Sequence, residues 1–316
     1  MKKVIFIKLS IFSVIGIAFA LYILYYSNAL ANQNNEIFCE HFSCNSFFDN
    51  NLNYFKSEAD TVVKTFSVNK KGSIYVNVSG ADIDINTWDK NEVKVIAIIK
   101  GTENRKKDYK IYFDASNDKV NITSKSDKNF IFNGWISVKF LINVPKEFYP
   151  DIYTSGGDII LHNLLSDSKL KTSGGDIHIE NSIGKVNAHT SGGDIKIIAC
   201  NGDVNLETSG GDIILKNVSG SISAETSGGD IMLYLNGDNK GISLNTSGGD
   251  IHIETPKDLK ADLDCKTSGG DVSLNSFNNF NGKVKDQYIL GSINGGGPLI
   301  KARTSGGDIS IRLGEN

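Results

Sequence analysis

The sequence contains little proline, little cysteine and no excess of charge of one sign. Four Pro stand against 32 Gly, while Asn, Ile, Thr and Ser are abundant. This composition favours β structure with tight turns and confines helix to the N-terminus. The 33 basic and 36 acidic residues are well mixed and give a formal net charge of -3, so charge predicts no nucleic-acid partner. A hydrophobic content of 40% excludes a disordered chain.

The four cysteines suggest one local disulfide at most. Cys39 and Cys44, within Cys-Glu-His-Phe-Ser-Cys, could bridge in an oxidising compartment. A metal site there would need two more ligands, and His41 is the only candidate nearby. Cys200 and Cys265 fall several repeats apart, and a disulfide requires Cα atoms within roughly 7 Å. We therefore expect both to be free thiols.

The N-terminal segment predicts export. Lysines within the first eight residues precede an uncharged run, Leu9–Tyr26, which is about the length that a helix needs to cross a bilayer. The positive flank places the rest of the chain outside the cytoplasm. Ala29-Leu30-Ala31 resembles a signal-peptidase site, so residues 1–31 are either a retained signal anchor or a signal peptide cleaved after Ala31. The first alternative gives a single-pass cell-membrane protein with an extracellular C-terminal domain, and the second gives a secreted protein.

Three further segments follow from composition and periodicity. Residues 32–60 have the composition of a polar juxtamembrane linker. Residues 61–150 contain alternating runs rich in β-branched residues and predict an N-terminal β region. Residues 151–316 carry internal repeats and predict a β-solenoid. Ser79-Gly80-Ala81-Asp82 resembles a weakened copy of the repeat motif, so the array could begin before residue 151.

The repeat motif is Thr-Ser-Gly-Gly-Asp, which occurs eight times. Its aspartates are Asp158, Asp176, Asp194, Asp212, Asp230, Asp250, Asp271 and Asp308. They are separated by 18 residues in the first four intervals and then by 20, 21 and 37. A fixed period near 20 predicts a stacked array. The last interval is close to two periods and predicts a coil that has lost its motif.

Positions at fixed distances from the motif Asp share one character in every copy. Those one and three residues after it, and six before it, are apolar, whereas those five before it are largely polar or charged. This alternation predicts two short strands per coil, one on each side of the motif turn, with one face inward. The predicted fold is all-β, a parallel β-solenoid of about nine coils of 18 to 21 residues. An N-terminal β cap region and one N-terminal transmembrane or signal helix complete it.

We expect the motif to serve the turn rather than chemistry. Its glycines are expected at positive φ, its Asp to accept hydrogen bonds from the amides of its own turn, and its Thr hydroxyls to bond one another or turn amides. The alternative is calcium between adjacent coils, by analogy with Gly-Gly-x-Gly-x-Asp repeats. That site would use the column Asp158, Asp176, Asp194, Asp212, Asp230 and Asp250. We predict no metal and no cofactor.

Nothing in the sequence is typical of an active site. His178 and His252 share an Ile-His-Ile-Glu context but fall on distant coils, and neither Gly-x-Ser-x-Gly nor His-Glu-x-x-His occurs. Glu207 and Glu225 would stack on adjacent coils at a spacing that a retaining glycosidase could use, although exposed glutamates on repeats are usually solvated surface. The prediction is a protein without enzymatic activity.

From about residue 70 onward the order of features resembles a large bacterial family of exported β-repeat proteins known as "putative adhesins". The resemblance rests on the N-terminal apolar segment, Ser79–Asp89, Val93–Val95, the Val144-Pro145 step and the repeated Ser-Gly-Gly-Asp-Ile. It implies a cell-surface or envelope protein with a β-solenoid fold. This chain departs from the pattern by Ala81 in place of the motif's second glycine and by its Cys-bearing linker.

Two functions fit these features. The first is a non-enzymatic cell-surface or envelope β-solenoid that binds a surface glycan, a cell-envelope component or a protein ligand. The second is an envelope-stress or signalling accessory that senses cell-wall or lipid components. In both, the chain meets the membrane through its N-terminal helix and binds no nucleic acid. Residues that differ between copies are expected to carry specificity.

Overall fold

The computed structural model describes residues 59–116, 118–126, 134–275, 277 and 279–314. The predicted anchor or signal segment, residues 1–31, and the linker up to residue 58 lie outside these ranges. Within them, no helix is long and apolar enough to span a membrane. The described part is all-β, as the composition predicts, apart from one short helix, α1, which the composition did not predict at this place in the chain.

The strands divide into an N-terminal group, the repeats and a C-terminal group. The N-terminal group comprises β1 (Asp60–Ser67), β2 (Ser73–Val78), β3 (Ala81–Trp88), β4 (Glu92–Gly101), α1 (Glu103–Asp108), β5 (Tyr109–Ser116), β6 (Lys119–Ser126) and β7 (Ile136–Pro145). The repeats comprise β8 (Tyr149–Thr154), β9 (Ile159–His162), β10 (Ser168–Lys171), β11 (Ile177–Ile183), β12 (Val186–His189), β13 (Ile195–Asn201), β14 (Val204–Glu207), β15 (Ile213–Glu225), β16 (Ile231–Asn245), β17 (Ile251–Thr255), β18 (Ala261–Lys266) and β19 (Val272–Asn275). The C-terminal group comprises β20 (Phe280–Lys285), β21 (Tyr288–Ile293), β22 (Leu299–Arg303) and β23 (Ile309–Leu313).

Each repeat forms one coil, named below by its motif aspartate. The strand before the motif forms the first side of the coil, and the strand after it forms the second side. A short third side then leads into the next coil. Neighbouring coils pair in parallel and in register: Leu170 stands beside Ala188 on the first side, and Ile177 beside Ile195 on the second. The period of 18 residues therefore places equivalent residues directly above one another.

The stack begins before the clean repeats. Strands β2 and β3 pair in parallel with β8 and β9, so that Val76 stands beside Ile152 and Ile83 beside Ile159. The turn between β2 and β3 is Ser79-Gly80, which confirms that the weakened motif belongs to the array. Strands β6 and β7 pair with the opposite edges of β2 and β3. Pairing is thus continuous across the predicted boundary at residue 150, and the described residues from 59 onward form one compact unit.

The C-terminal end departs from sequence order. Strand β22 pairs in parallel with β16 on one edge and β18 on the other, and β23 lies between β17 and β19. The coil of Asp308 is therefore inserted between the coils of Asp250 and Asp271. The prediction of a motif-less coil in the 37-residue interval is wrong, because that interval contains the antiparallel hairpin β20–β21, which pairs with the outer edge of β18.

Antiparallel strands also close the opposite end, where β4 pairs with β7 and β5 pairs with β6. Strand β1 in turn pairs with β4. Strands of opposite direction thus cover both sides of the stack at this end, and the first side, at β18, at the C-terminal end. Edges closed in this way add no further parallel coil.

The core is a thin apolar layer enclosed by each coil. The predicted inward columns are buried in every coil except at one position, Leu274, which is partly buried. Leu274 belongs to β19, whose pairing within the described residues is to β23 alone, so no further coil covers it. Burial in this fold depends on having a neighbour on both sides.

Candidate functional site

The motif aspartates form a continuous ladder along one edge of the stack. In each coil the Oδ1 atom accepts a hydrogen bond from the backbone N–H of the Asp in the next coil, with N···O distances of 2.7 to 3.2 Å. The prediction that backbone amides satisfy these carboxylates is confirmed, but the amide belongs to the adjacent coil and not to the same turn. In stacking order the ladder runs Asp82, Asp158, Asp176, Asp194, Asp212, Asp230, Asp250, Asp308 and Asp271.

The motif threonines connect the same coils from inside. Each hydroxyl donates to the carbonyl of the second glycine of the preceding coil at 2.8 to 2.9 Å, with Ala81 in that place for Thr154. From Thr172 onward it also accepts the N–H of the second glycine of its own coil at 3.2 to 3.4 Å. All eight threonines are buried. Their hydroxyls thus bond turn amides, as predicted, and not one another.

The motif glycines are required for close approach, and the prediction of positive φ is wrong. None of the sixteen motif glycines has a φ in the left-handed region. A Cβ at the second glycine, for example Gly211, would lie 2.5 Å from the carbonyl carbon of Gly193 in the coil below. At the first glycine, Gly210, the nearest atom would be 3.6 Å away. At this junction only the second glycine is sterically obligatory.

The aspartate ladder limits which oxygens a calcium ion between coils could use. Along the ladder from Asp82 to Asp308, one carboxylate oxygen of each aspartate is already used within the protein. Across the ranges that the structure describes, no group of three or more His, Cys, Asp or Glu side chains is placed to hold a metal ion. A calcium column would have to bind through the second oxygens, and the alternative stays a prediction.

The histidines and glutamates considered for catalysis lie on the outer faces. His178 Nε2 lies 2.6 Å from Glu180 Oε1, and His162 Nδ1 lies 3.2 Å from Glu180 Oε2. The hydrogen bond from His178 lowers the pKa of Glu180. Glu207 stands directly beside Glu225 and contacts His189 at 3.2 Å. The His178–Glu180 pair lies within one strand, whereas the His162–Glu180 and His189–Glu207 pairs join neighbouring coils on the surface.

The two described cysteines are free and buried. Burial raises the pKa of Cys200 to about 11 and that of Cys265 to about 12, so neither is a thiolate at neutral pH. The prediction of free thiols is confirmed for both. Cys39 and Cys44, with their predicted disulfide, lie outside the described residues.

The third side has its own backbone signature, which the sequence reasoning missed. The residue five after the motif Asp adopts positive φ in four successive coils, as Asn163 (59°), Asn181 (54°), Ala199 (56°) and Asn217 (53°). Gly184, Gly202 and Gly220 follow three residues later, also at positive φ, against the backbone of the coil below. Asn and Gly are the residues that enter this region at least cost. Asn at +5 followed by Gly at +8 was the available signal.

A groove runs along the third side of these coils. It has a volume of about 500 Å³, and its apolar part is formed by Leu165 and Ile183, which are 45% and 55% exposed. We call it the apolar groove. Its lining comprises Lys146, Asn163, Leu165, Asn181, Ser182, Ile183, Ala199, Cys200, Asn201, Asn217 and Ser219.

The same side continues into a second groove, of about 400 Å³, where the period lengthens from 18 to 20 and 21 residues. We call this the polar groove, and it is lined by Lys216, Asn217, Tyr234, Leu235, Asn236, Glu254, Thr255, Pro256 and Gly314. Lys216 Nζ lies 5.4 Å from the centre of the Tyr234 ring. Thr255 is 1% exposed, and its hydroxyl finds no hydrogen-bond partner among the described residues. An aromatic face beside converging polar groups is a common ligand-binding arrangement.

The described coils can be compared with known proteins. Residues 72–312 match the family model described as Toastrack DUF4097. This chain belongs to the Toastrack DUF4097 family. The match spans the weakened motif, the eight clean motifs and the inserted C-terminal coil. The resemblance inferred from the motifs is therefore confirmed at the level of the family, which is a domain of unknown function.

The chain is also similar, at low identity, to several solved structures of bacterial proteins. A "putative adhesin" from Bacteroides fragilis is 17% identical with a TM-score of 0.44, over 80% of this chain and 97% of the other. A "putative lipid binding protein" from Parabacteroides distasonis is 16% identical with a TM-score of 0.39, over 81% and 98%. A "putative cell adhesion protein" from Clostridium sporogenes is 13% identical with a TM-score of 0.29, over 81% and 100%. No curated protein matches the chain.

Proposed function

We propose that this protein is a non-enzymatic binding module of the cell surface or envelope, and that its ligand binds along the third side of the stack. On this proposal the N-terminal segment anchors about nine coils of a parallel β-solenoid to the outer face of the membrane. The alternative for that segment is cleavage after Ala31 and secretion. A rigid rod that carries a groove along its length suits the binding of an extended ligand.

The observation that carries the proposal is that the motif turn and the apolar character of the core are the same in every coil, whereas the third side differs from coil to coil. The motif turn uses the same Thr, Gly and Asp contacts in every coil, and the inward columns hold apolar residues throughout. The third side differs from coil to coil, since Ile183 stands where the next coil has Asn201 and the one after has Ser219. Constant contacts build the rod, whereas variable ones are available for recognition.

The two grooves favour different ligand chemistry. The polar groove offers the Tyr234 ring, with Lys216 and Asn236 beside it in the lining, which suits a glycan or a polar peptide. The apolar groove, with Leu165 and Ile183 exposed, favours the second candidate function, an accessory that senses lipid or cell-wall components.

Array binding with groove variants tests the proposal. The full chain, solubilised in mild detergent, is applied to host glycans, peptidoglycan fragments and lipids, beside Tyr234→Ala and Ile183→Asn. Leu290→Asn is the matched control, because Leu290 is 56% exposed on the terminal hairpin and Ile183 is 55% exposed in the groove.

The pattern of losses decides between the candidates. Loss of glycan binding in Tyr234→Ala supports the adhesion module, and loss of lipid or peptidoglycan binding in Ile183→Asn supports the sensor. Binding that both groove variants leave intact would contradict a third-side site. Surface labelling of intact cells, followed by N-terminal sequencing of the labelled chain, tests the location and the choice between anchor and signal peptide.

A further inference from the structure

The coil of Asp308 occupies a position that its place in the sequence does not require. Residues 299–313 fill the gap between the coils of Asp250 and Asp271, which we call the insertion slot. Along the chain, the strands of both walls of the slot come first, the hairpin β20–β21 follows, and the strands that fill the slot come after it. The C-terminal coil is therefore a strand pair added to a site whose two walls are formed by earlier residues.

The hydrogen bonds within the slot are those of every other junction in the stack. On one wall, Thr304 Oγ1 donates to Gly249 at 2.8 Å and the Asp308 N–H donates to Asp250 Oδ1 at 2.7 Å. On the other wall, Thr267 Oγ1 donates to Gly307 at 2.8 Å and the Asp271 N–H donates to Asp308 Oδ1 at 2.8 Å. These bonds recognise the motif and the backbone, whichever chain supplies them.

Charged and polar side chains make the slot selective for this one repeat. Arg303 pairs with Asp264 at 2.5 Å on the first side, and Arg312 pairs with Glu254 at 2.9 Å on the second. Ser310 Oγ lies 2.7 Å from His252 Nδ1. The position of Arg312 is occupied in other coils by residues such as Glu180, Ile198 and Tyr234. Opposite charges at paired positions set the choice of partner strand.

The connection to the inserted coil is short and bent. Five residues, 294–298, separate β21 from β22, and Asn294, Gly295 and Gly296 have φ values of 50°, 88° and 86°. Residues that accept positive φ can also extend, and five extended residues span roughly 17 Å. A short hinge of this kind is where identical elements exchange between copies.

We infer that residues 299–313 are an exchangeable strand pair, and that a second copy of this chain supplies them to the insertion slot in trans. The exchanged dimer keeps the contacts of residues 299–313 with both walls of the slot and gives up the entropy of association and the hydrogen bonds of the connection, such as those from Asn294 to the carbonyls of Lys257 and Leu259, so it forms where copies are concentrated. The Arg303–Asp264 and Arg312–Glu254 pairs select the C-terminal repeat of the second copy over its other repeats.

Disulfide trapping between two differently substituted copies tests the exchange. Ser243 on the wall strand β16 is paired directly with Lys301 on the inserted strand β22, and both side chains face outward. In a background without the four native cysteines, one copy of the full chain carries Ser243→Cys and the other carries Lys301→Cys. Oxidation of the mixture should give a covalent dimer whose yield rises with concentration. The doubly substituted chain should close an internal disulfide, which shows that the geometry is competent.

The matched control uses the same column at a distance from the slot. Asn187→Cys, on the first side of the Asp194 coil, replaces Ser243→Cys in the mixture with Lys301→Cys. It should give only the yield of random collision. Dimer from the Ser243→Cys mixture at that same background level, at every concentration, would overturn the inference.

Charge inversion gives a second, independent arm. One copy carries an inverted slot, Glu254→Arg with Asp264→Arg, and the other carries an inverted repeat, Arg303→Glu with Arg312→Glu. Each alone has like charges within its own slot, whereas the mixed dimer restores opposite charges in both slots. Light scattering should show at least about tenfold more dimer in the mixture than in either variant alone, equivalent to roughly 1.4 kcal/mol. Monomers in all three samples would contradict exchange.

Discussion

Replacing Gly211 with Ala should destabilise the stack, whereas replacing its neighbour Gly210 should not. A Cβ at Gly211 would lie 2.5 Å from the Gly193 carbonyl carbon and 2.6 Å from Asp194 Oδ1, with the carbonyl oxygen closer still. Real Cβ atoms do not approach backbone so closely, and neither coil can move away without breaking its ladder. Overpacking of this kind costs about 1 to 3 kcal/mol, and we expect the upper end because backbone, not side chain, must shift.

At Gly210 the added Cβ would have its nearest neighbour, the Gly192 carbonyl oxygen, at 3.6 Å, an ordinary van der Waals distance. Neither glycine has a positive φ, so alanine brings no backbone strain at either position. By restricting the unfolded chain, Gly210→Ala should stabilise the protein by about 0.4 to 1 kcal/mol.

Urea denaturation followed by circular dichroism measures both variants, read as the shift in midpoint at constant m-value. A repeat stack can open from its ends, so amide hydrogen exchange at Asp194 and Asp212 is needed to locate the loss at the substituted junction. Similar destabilisation by the two alanines would refute the reasoning, because it would mean that backbone conformation, and not the approach of the neighbouring coil, requires glycine.

Substitutions at three further positions, Thr208, Asp194 and His252, test contacts between the coils. Thr208→Val should cost about 1 to 3 kcal/mol of stability, because it leaves a buried carbonyl and a buried N–H unpaired. Thr208→Ser should lose much less stability. Equal losses in urea denaturation would contradict a hydrogen-bonding role. Asp194→Ala should cost about 1 kcal/mol of stability, whereas Asp194→Asn should cost little, because its side-chain oxygen still accepts the bond from the next coil. A melting temperature of the native chain that falls when a chelator is added would instead support the calcium alternative. Burial lowers the pKa of His252, and Arg312 adds a smaller contribution. The unfolded state therefore binds the proton more readily, and stability should fall as pH drops below 6.5. His252→Gln should flatten that part of the thermal-stability profile.

The regular part of the molecule can be predicted from the sequence, because each repeat has the same local pattern and makes the same contacts with its neighbours. Ile177, Ile195 and Ile213 recur at one spacing, so the residue that is inward in one coil is inward in all, and their stacking needs no long-range information. The same logic located the turn between β2 and β3 from a motif in which Ala81 replaces glycine.

The candidate site was harder to find. Residues that differ between copies were expected to carry specificity, but the sequence did not show that the grooves lie on the third side, where Asn181 and Gly184 bend the chain. Positive φ was expected at the motif glycines because Gly-Gly is a common turn signal, but the close approach of two coils fixes those residues instead. Distances between coils are tertiary quantities, and a single repeat does not contain them.

The sequence by itself determined that the chain folds as stacked two-stranded coils with isoleucine, leucine and valine inside, since period, alternation and motif all require it. Only the tertiary structure decided the order in which the coils stack. Every coil presents the same Thr, Gly and Asp bonds on its two faces, so the coil of Asp308 could follow Asp271 or precede it with equal hydrogen bonding. The hairpin β20–β21, which covers the outer edge of β18, and the ion pairs of Arg303 and Arg312 place it inside.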